Sequence, residues 1–449
     1  MSAVPATDAT DAADPVDVPH AAAEARPGAA AVADAPAVPE APAVQEAWEA
    51  PQALGASGRD PAGPWTVYSL GFAAPYRTAF FSYDEGELPA GQFRIRTRYT
   101  GLSAGTELTH FRGTNPYLLK TWDETLKLFR PCSSGTPGAP GAASQRYPLM
   151  FSGYMEVGEV SASRCQTVRE GQLVASSYGH KTGHTADPLR DFVVPLPDGL
   201  DPLLGIYVAQ MGPISANAIL HADEDEYGAA AAHFGCGVEG RCVMVFGSGV
   251  IGLLTALLAR WCGAREVVVA DTGGGRLAAA RGLGFTVVDV AATDPAAWAK
   301  ERWAGGPSGG RGADVAFQCR ALDTMLAHAL DCLRPQGAVI DLAFYQGGAP
   351  NLFLGEAFHH NGLRHIGAQI DRVPRKLQHA WNRRRLSDQT IAFLLACGAD
   401  VRRHLITDVV PLARAQQVFD DIATKRRQPL QVVFRVDEPE PLEASRGTV

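Results

Sequence analysis

The sequence predicts an α/β protein in which a doubly wound parallel sheet interrupts a β-rich part. Three observations carry this reading. The hexad Gly247-Ser248-Gly249-Val250-Ile251-Gly252 follows an apolar run, Val243-Met244-Val245-Phe246, and opens a stretch that is apolar nearly all round. Asp271 ends the next apolar run, Glu266-Val267-Val268-Val269-Ala270, about twenty residues beyond the glycines. Strand-like and helix-like stretches then alternate up to residue 375, and segments with strand-like alternation flank them on both sides.

Strand, glycine turn, helix, second strand and terminal carboxylate at this spacing make a dinucleotide-binding βαβ unit of the Rossmann type. Gly247 allows the tight turn, Gly249 lets a pyrophosphate approach the backbone, and Gly252 lets helix and strand pack closely. The helix opened by Val250 and Ile251 presents its amino end, with Ser248, to the phosphates. Asp271 would accept hydrogen bonds from both adenosine ribose hydroxyls and repel a 2′-phosphate, which favours NAD(H) over NADP(H). Thr272 and Arg276 follow closely; Arg276 reaches the adenosine ribose, packs on adenine, or is a solvated surface arginine. Cys319 and Arg320 end the fourth strand, and Phe344 and Tyr345 follow the fifth. Open α/β sheets bind ligands at that edge, so these residues are expected to border the nicotinamide ribose.

A chain of 449 residues is long enough for two or three domains. No apolar run reaches the roughly 18 residues that suggest a membrane span, so no membrane partner is expected. The formal charge of −8 resides in residues 1–63, which hold ten Asp or Glu against Arg26 and Arg59. The remainder balances at 38 against 38, which leaves no basic footprint for nucleic acid. Eight cysteines without a CxxC pair describe neither a disulfide framework nor a zinc knuckle and fit a reducing cytoplasm. Residues 1–63 are dominated by Ala, Pro, Asp and Glu. They cannot bury enough apolar surface to offset their ordering entropy, which predicts a disordered tail. They lack the basic start and apolar centre of a secretory signal. A docking role and solvated padding both stay open for this tail.

Residues 64–218 read as mostly β, with alternation over 93–99 and short strands near 154–160, 172–176 and 192–196. Residues 219–375 form the coenzyme domain. Its candidate parallel strands lie at 243–246, 267–270, 287–290, 315–318 and 339–342. Its helices include 275–282 and 322–333, the latter stopped by Arg334-Pro335-Gln336-Gly337. Residues 376–437 return to the first part through helices at 386–398 and 412–423 and a strand at 430–436, and 438–449 are a C-terminal tail. The stretch 117–147 is longer than a simple connection needs. Its first part, 117–129, is expected as a short helix lining the substrate entrance, and the rest as mobile or as a surface insertion.

Against this background Gly101-Leu102-Ser103-Ala104-Gly105-Thr106-Glu107-Leu108-Thr109-His110-Phe111-Arg112-Gly113 resembles the first active-site loop of the medium-chain dehydrogenase/reductase superfamily. Gly153-Tyr154-Met155-Glu156-Val157-Gly158-Glu159-Val160 is similar to its second loop and strand. Gly171-Gln172-Leu173-Val174 resembles the following turn, and Ala313-Asp314-Val315-Ala316-Phe317-Gln318-Cys319 the fourth coenzyme strand. The resemblance covers about 65 to 437. It implies a Rossmann coenzyme domain inserted into a GroES-like catalytic domain, alcohol, polyol or sugar dehydrogenation, and a homodimer or homotetramer.

The departures from that pattern bear on the chemistry. Zinc-dependent members carry a cysteine in the first loop, a His-Glu pair after the glycine of the second, and a Cys or Glu in a later segment. Here those places hold Ser103 or Ala104, then Tyr154-Met155, then Gln210-Met211-Gly212-Pro213. A hydroxyl, a phenol and a thioether do not replace thiolate, imidazole and carboxylate around zinc. The four-cysteine structural lobe is missing as well, so neither a catalytic nor a structural zinc is expected. Without a Lewis acid, hydrogen-bond donors must stabilise a developing alkoxide and one must deliver a proton.

Tyr154 stands at the lost histidine position, where a phenol beside a cationic nicotinamide can have a depressed pKa. It is either the proton donor or a side chain filling the space of metal and ligand. Thr106 matches the hydroxyl that relays protons in zinc enzymes. Glu107 orients its neighbours or acts directly, His110 sits near the ribose or caps the loop, and Ser103 is a donor or a small turn residue. His180 and His184, four apart but flanked by glycines that disfavour a helix, are not expected to hold metal, and a place lining the substrate cleft stays open to them. His359-His360 is expected to shape the domain interface.

The expectation is an NAD(H)-dependent, zinc-independent oxidoreductase that interconverts a secondary alcohol and a ketone on a small polar substrate. That substrate would be sugar-, cyclitol- or polyol-like, or a specialised metabolite. Three alternatives stay open: an ene or quinone reductase, a redox-neutral epimerase or eliminase with tightly bound NAD, and a redox-sensing binding protein without turnover.

Overall fold

The computed structural model describes residues 45–47, 60–133, 141–305 and 310–436. Most of the acidic tail and the segment 438–449 lie outside the described residues. Within the tail, Gln45–Ala47 forms a short edge strand on the first sheet. That sheet is the antiparallel pair β1 (Trp65–Ala74) and β2 (Arg77–Glu85), in register from Trp65 opposite Glu85 to Phe72 opposite Thr78.

The second sheet is assembled from distant parts of the chain. Its strands are β3 (Phe93–Gly101), β6 (Glu156–Ser163), β7 (Leu173–Ser176), β8 (Gly183–Ala186) and β9 (Val193–Pro195), with β16 (Ile406–Pro411) and β17 (Gln431–Arg435) from the chain's far end. Their order is β9-β7-β6-β3-β17-β16, and β8 also pairs with β3. Strand β17 lies antiparallel to β3, Val433 opposite Gly101. The chain therefore returns to its own first sheet after the coenzyme fold, as an inserted domain requires. Helix α1 (Ala104–Arg112) leaves the end of β3, and α8 (Ala415–Ala423) packs beside it through Phe111 and Phe419, whose rings lie 5.1 Å apart.

The interrupting segment builds a six-stranded parallel sheet. Its strands are β10 (Cys242–Phe246), β11 (Glu266–Asp271), β12 (Thr286–Asp289), β13 (Ala313–Gln318), β14 (Leu333–Asp341) and β15 (Arg364–Gly367). The spatial order β12-β11-β10-β13-β14-β15 reverses at β10, the switch point where such sheets bind ligands. Strands β10 and β13 are buried along their whole length, which explains why they read as unbroken apolar runs rather than alternation. The core is continuous across both parts. Met155 and Val157 share it with Val243, Val245 and Phe317, and with Phe393 and Leu394 of helix α7 (Arg383–His404).

Two local expectations need correction. The stretch expected as a helix over 117–129 is a single turn, Pro116–Leu119, followed by a hairpin of β4 (Lys120–Asp123) and β5 (Leu128–Pro131). Trp122 and Phe129 face each other across it at 4.8 Å, and Asp123 holds the turn through the N–H groups of Thr125 and Leu126. The aromatic pair Trp122–Phe129, with an Asx turn between the strands, favours a hairpin over a helix. The presumed stop at 334–337 lies inside β14, where Gln336 adopts φ 63° and the register slips between Ala313 and Val315 of β13.

Candidate active site

Ser103 precedes the first turn of α1. A serine there ordinarily turns its hydroxyl onto a helix N–H, yet Ser103 makes no such bond. Glu107, one turn on, instead accepts the Ser103 N–H at 2.7 Å, which leaves Ser103 Oγ to bond the phenol of Tyr154. The same phenol lies 3.4 Å from Thr106 Oγ1. Three hydroxyls from two separate loops thus meet beside one helix terminus.

Gly153 makes this meeting sterically feasible. It has φ +83°, and a Cβ there would come within 2.9 Å of the His180 ring. His180 itself is buried, with Nε2 2.8 Å from the second carboxylate oxygen of Glu107 and Nδ1 2.7 Å from Thr100 Oγ1. Glu107 is therefore held from both sides and fixes Ser103 in turn. Sequence reasoning found Ser103, Thr106, Glu107 and Tyr154 but did not join His180 to them, because 73 residues separate it from Glu107. Its partner Thr100 lies on a strand whose alternation carries no chemical signal.

Burial pushes the Tyr154 phenol above its ordinary pKa, and the Glu107 charge adds to this, while the bonds to Ser103 and Thr106 pull the other way. In the protein alone the phenol is thus held protonated, opposite to the lowering expected beside a cationic ring. His110 stands apart from the cluster. Its Nε2 lies 2.8 Å from Gln145 Oε1, its carbonyl accepts the Tyr147 hydroxyl, and burial lowers its pKa. His184 is also buried, against the Tyr178 ring. His359 and His360 are exposed beside Gln336 and Arg364, at the amino-terminal edge of the parallel sheet.

The donor chemistry at this place differs from that of a zinc site. The places of the metal ligands hold the neutral hydroxyls of Ser103 and Tyr154, the methyl of Ala104 and the thioether of Met155. Met155 is fully buried and turned toward Gly101, where a Cβ would meet its methyl at 2.8 Å. In the later segment the Gln210 amide oxygen accepts from Arg383, and Met211 is in the core. These residues do not fit zinc, and among the described residues no three His, Cys, Asp or Glu side chains are grouped to hold a metal ion.

The glycine turn does fit a dinucleotide. Gly247 has φ +105°, and a Cβ on Gly252 would lie 1.7 Å from the Gly247 carbonyl oxygen, so both positions exclude a side chain. A Cβ on Gly249 would meet nothing nearer than Arg276 Nη1 at 3.8 Å. Open backbone, the amino end of α3 (Val250–Trp261) and an exposed guanidinium form a cradle for a diphosphate. Asp271 ends β11 almost fully buried, accepting from the Ser248 N–H at 2.7 Å, Ser248 Oγ at 2.8 Å and the Thr272 N–H at 2.7 Å. Arg320 completes its shell. Cys319 lies behind the turn, its Cβ 3.5 Å from where a Cβ on Gly252 would stand, and burial raises the pKa of its thiol. Phe344 is exposed just beyond β14.

Comparison with known proteins agrees with this geometry. Residues 250–382 match the family model described as zinc-binding dehydrogenase. The D-guloside 3-dehydrogenase of Escherichia coli (strain K12) is 25% identical over 352 residues, covering 77% of this chain and 93% of that protein. The D-xylulose reductase of Saccharomyces cerevisiae is 30% identical over 158 residues, 35% of this chain and 40% of that protein. An alcohol dehydrogenase from Thermotoga maritima superposes with a TM-score of 0.61 at 16% identity, covering 82% of this chain and 99% of that one. An inserted parallel sheet with its glycine turn, a returning C-terminal strand and these relatives lead to one conclusion: the chain belongs to the zinc-type medium-chain dehydrogenase/reductase superfamily and is an oxidoreductase.

Proposed function

We propose that this oxidoreductase uses NAD(H) and no zinc to interconvert a secondary alcohol and a ketone on a sugar- or polyol-like substrate. The hydroxyl cluster of Ser103, Thr106 and Tyr154 is the observation that carries the proposal. The nicotinamide, when bound, supplies or accepts the hydride. The protein's own residues handle the oxygen. In the reducing direction Tyr154, kept protonated by burial, donates its hydrogen bond to the carbonyl oxygen and delivers the proton as negative charge develops there. In the resting protein the phenol donates to Thr106 Oγ1. Once its proton has passed to the substrate, the hydroxyls of Ser103 and Thr106 both donate to the phenolate oxygen and steady its charge. Glu107 and His180 touch none of the reacting atoms. They hold the Ser103 backbone so that its hydroxyl meets Tyr154 rather than capping the helix.

Coenzyme choice rests on Asp271. A buried carboxylate at the end of β11 opposes a 2′-phosphate and supports NAD(H). Relatives acting on D-gulosides and D-xylulose support a polyhydroxylated substrate. The test is coenzyme-linked turnover across pentitols, hexosides and simple secondary alcohols, using protein whose zinc content has been measured. NADH formation from a polyol by zinc-poor protein is expected. Turnover only after zinc is added, or only with conjugated enones, would overturn the reading.

A further inference from the structure

Asp271 has no acceptor capacity to spare. Ser248 contributes two donors, Thr272 one and Arg320 one, which occupies the roughly four lone-pair directions of a carboxylate. Ribose hydroxyls can bond this carboxylate only if one of those donors leaves. Three of them belong to the turn itself or to the next residue in the chain. Arg320 is the one that arrives from another strand, and its side chain is 31% exposed.

Arg320 is held in place by several contacts. Its Nη1 donates to Asp271 and, at 2.6 Å, to Thr272 Oγ1. Its backbone is pinned from beneath by fully buried Gln318, whose amide donates to the carbonyls of Arg320 at 2.8 Å and Leu322 at 3.1 Å. Gly247 admits the residue, since a Cβ at 247 would stand 3.0 Å from the Arg320 Cβ. A guanidinium is thus anchored at the carboxylate expected to receive the adenosine ribose, with its charge balanced by that carboxylate.

We infer that Arg320 is a specificity-determining residue for the coenzyme: a cation that Asp271 holds engaged, and that receives a 2′-phosphate once the Asp271 charge is gone. The inference rests on the coenzyme reading above for the identity of the bound group. Arginine suits the role because its planar fork matches phosphate oxygens. While Asp271 is ionised, Arg320 is paired and the net charge at the site is near zero. When Asp271 is made neutral, Arg320 stands unpaired beside the 2′ position, with Arg276 nearby over Gly249.

The test measures dissociation constants for NADH and NADPH, by nucleotide fluorescence, on the wild type and on D271N, R320A and D271N/R320A. Asparagine keeps an acceptor for the Ser248 N–H, and circular dichroism checks each fold. D271N should tighten NADPH binding by about tenfold or more, the size of a charge-assisted bond. D271N/R320A should lose that gain, and R320A alone should show none. An equal NADPH gain with and without Arg320 would overturn the inference while leaving the coenzyme reading intact. If the wild type binds neither nucleotide, the coenzyme reading fails and takes the inference with it. Should D271N not fold, the comparison passes to R320A alone, where a raised ratio of NADPH to NADH dissociation constants supports the inference and an unchanged ratio contradicts it.

Discussion

Tyr154 carries the proposed chemistry, and its contacts make that proposal testable at the level of one oxygen atom. Removing the phenol oxygen in Tyr154→Phe leaves the ring packed and deletes the donor. Turnover should fall by about 10²- to 10⁴-fold, the usual contribution of a general acid, with little change in coenzyme binding; wild-type turnover would exclude the role. Because burial raises the phenol's pKa, the rate of ketone reduction should show no loss of the donor near neutrality. Its alkaline limb should fall above the ordinary tyrosine value of about 10, as a pH–rate profile would reveal. Ser103, Thr106, Glu107 and Tyr154 were legible in the sequence because they occupy motif positions. His180 was not, since nothing local to Gly179-His180-Lys181 announces a carboxylate partner on α1.

Among the elements, the βαβ turn was the most legible, because each glycine answers to a separate steric demand. Those demands predict opposite outcomes for two similar substitutions. Gly252→Ala would set a methyl 1.7 Å from the Gly247 carbonyl oxygen and should destabilise the fold by about 1–3 kcal/mol or more, seen as a lower denaturation midpoint. Gly249→Ala meets open space, so stability should hold while affinity for NADH drops, because the methyl occupies the diphosphate's approach. Equal stability losses in the two would contradict the cradle. The hairpin at Lys120–Pro131 was misread for a physical reason. A short stretch containing Leu, Trp and Phe suits either period, and the Trp122–Phe129 pairing decides it only once the chain has turned at Asp123.

For the whole molecule, the sequence order of β, parallel α/β and returning β was readable because the inserted domain is long and strongly periodic. The antiparallel pair Trp65–Ala74 and Arg77–Glu85 and the long helix Met211–Tyr227 went unread. The helix has apolar and small residues on most sides and shows little periodicity. Buried histidines contribute an acid-sensitive part of the stability of the whole. His184 lies far below its ordinary pKa through desolvation and the nearby Lys181 charge, and burial lowers His110 and His221 as well. A folded-state pKa below the unfolded one means their contribution is complete above about pH 6.5 and is lost as pH falls toward the depressed values, at about 1.4 kcal/mol per pH unit for each group. Unfolding midpoints should therefore drop between pH 7.5 and pH 5, and His184→Phe should flatten that slope; an unchanged slope would remove His184 from the account. In the proposed chemistry, hydroxyl groups take the place of a divalent cation at the reacting oxygen. The most direct measurement is metal analysis of the purified protein paired with turnover before and after chelation. Far less than one zinc per chain with undiminished turnover is the predicted result. Stoichiometric zinc whose removal abolishes activity would contradict it.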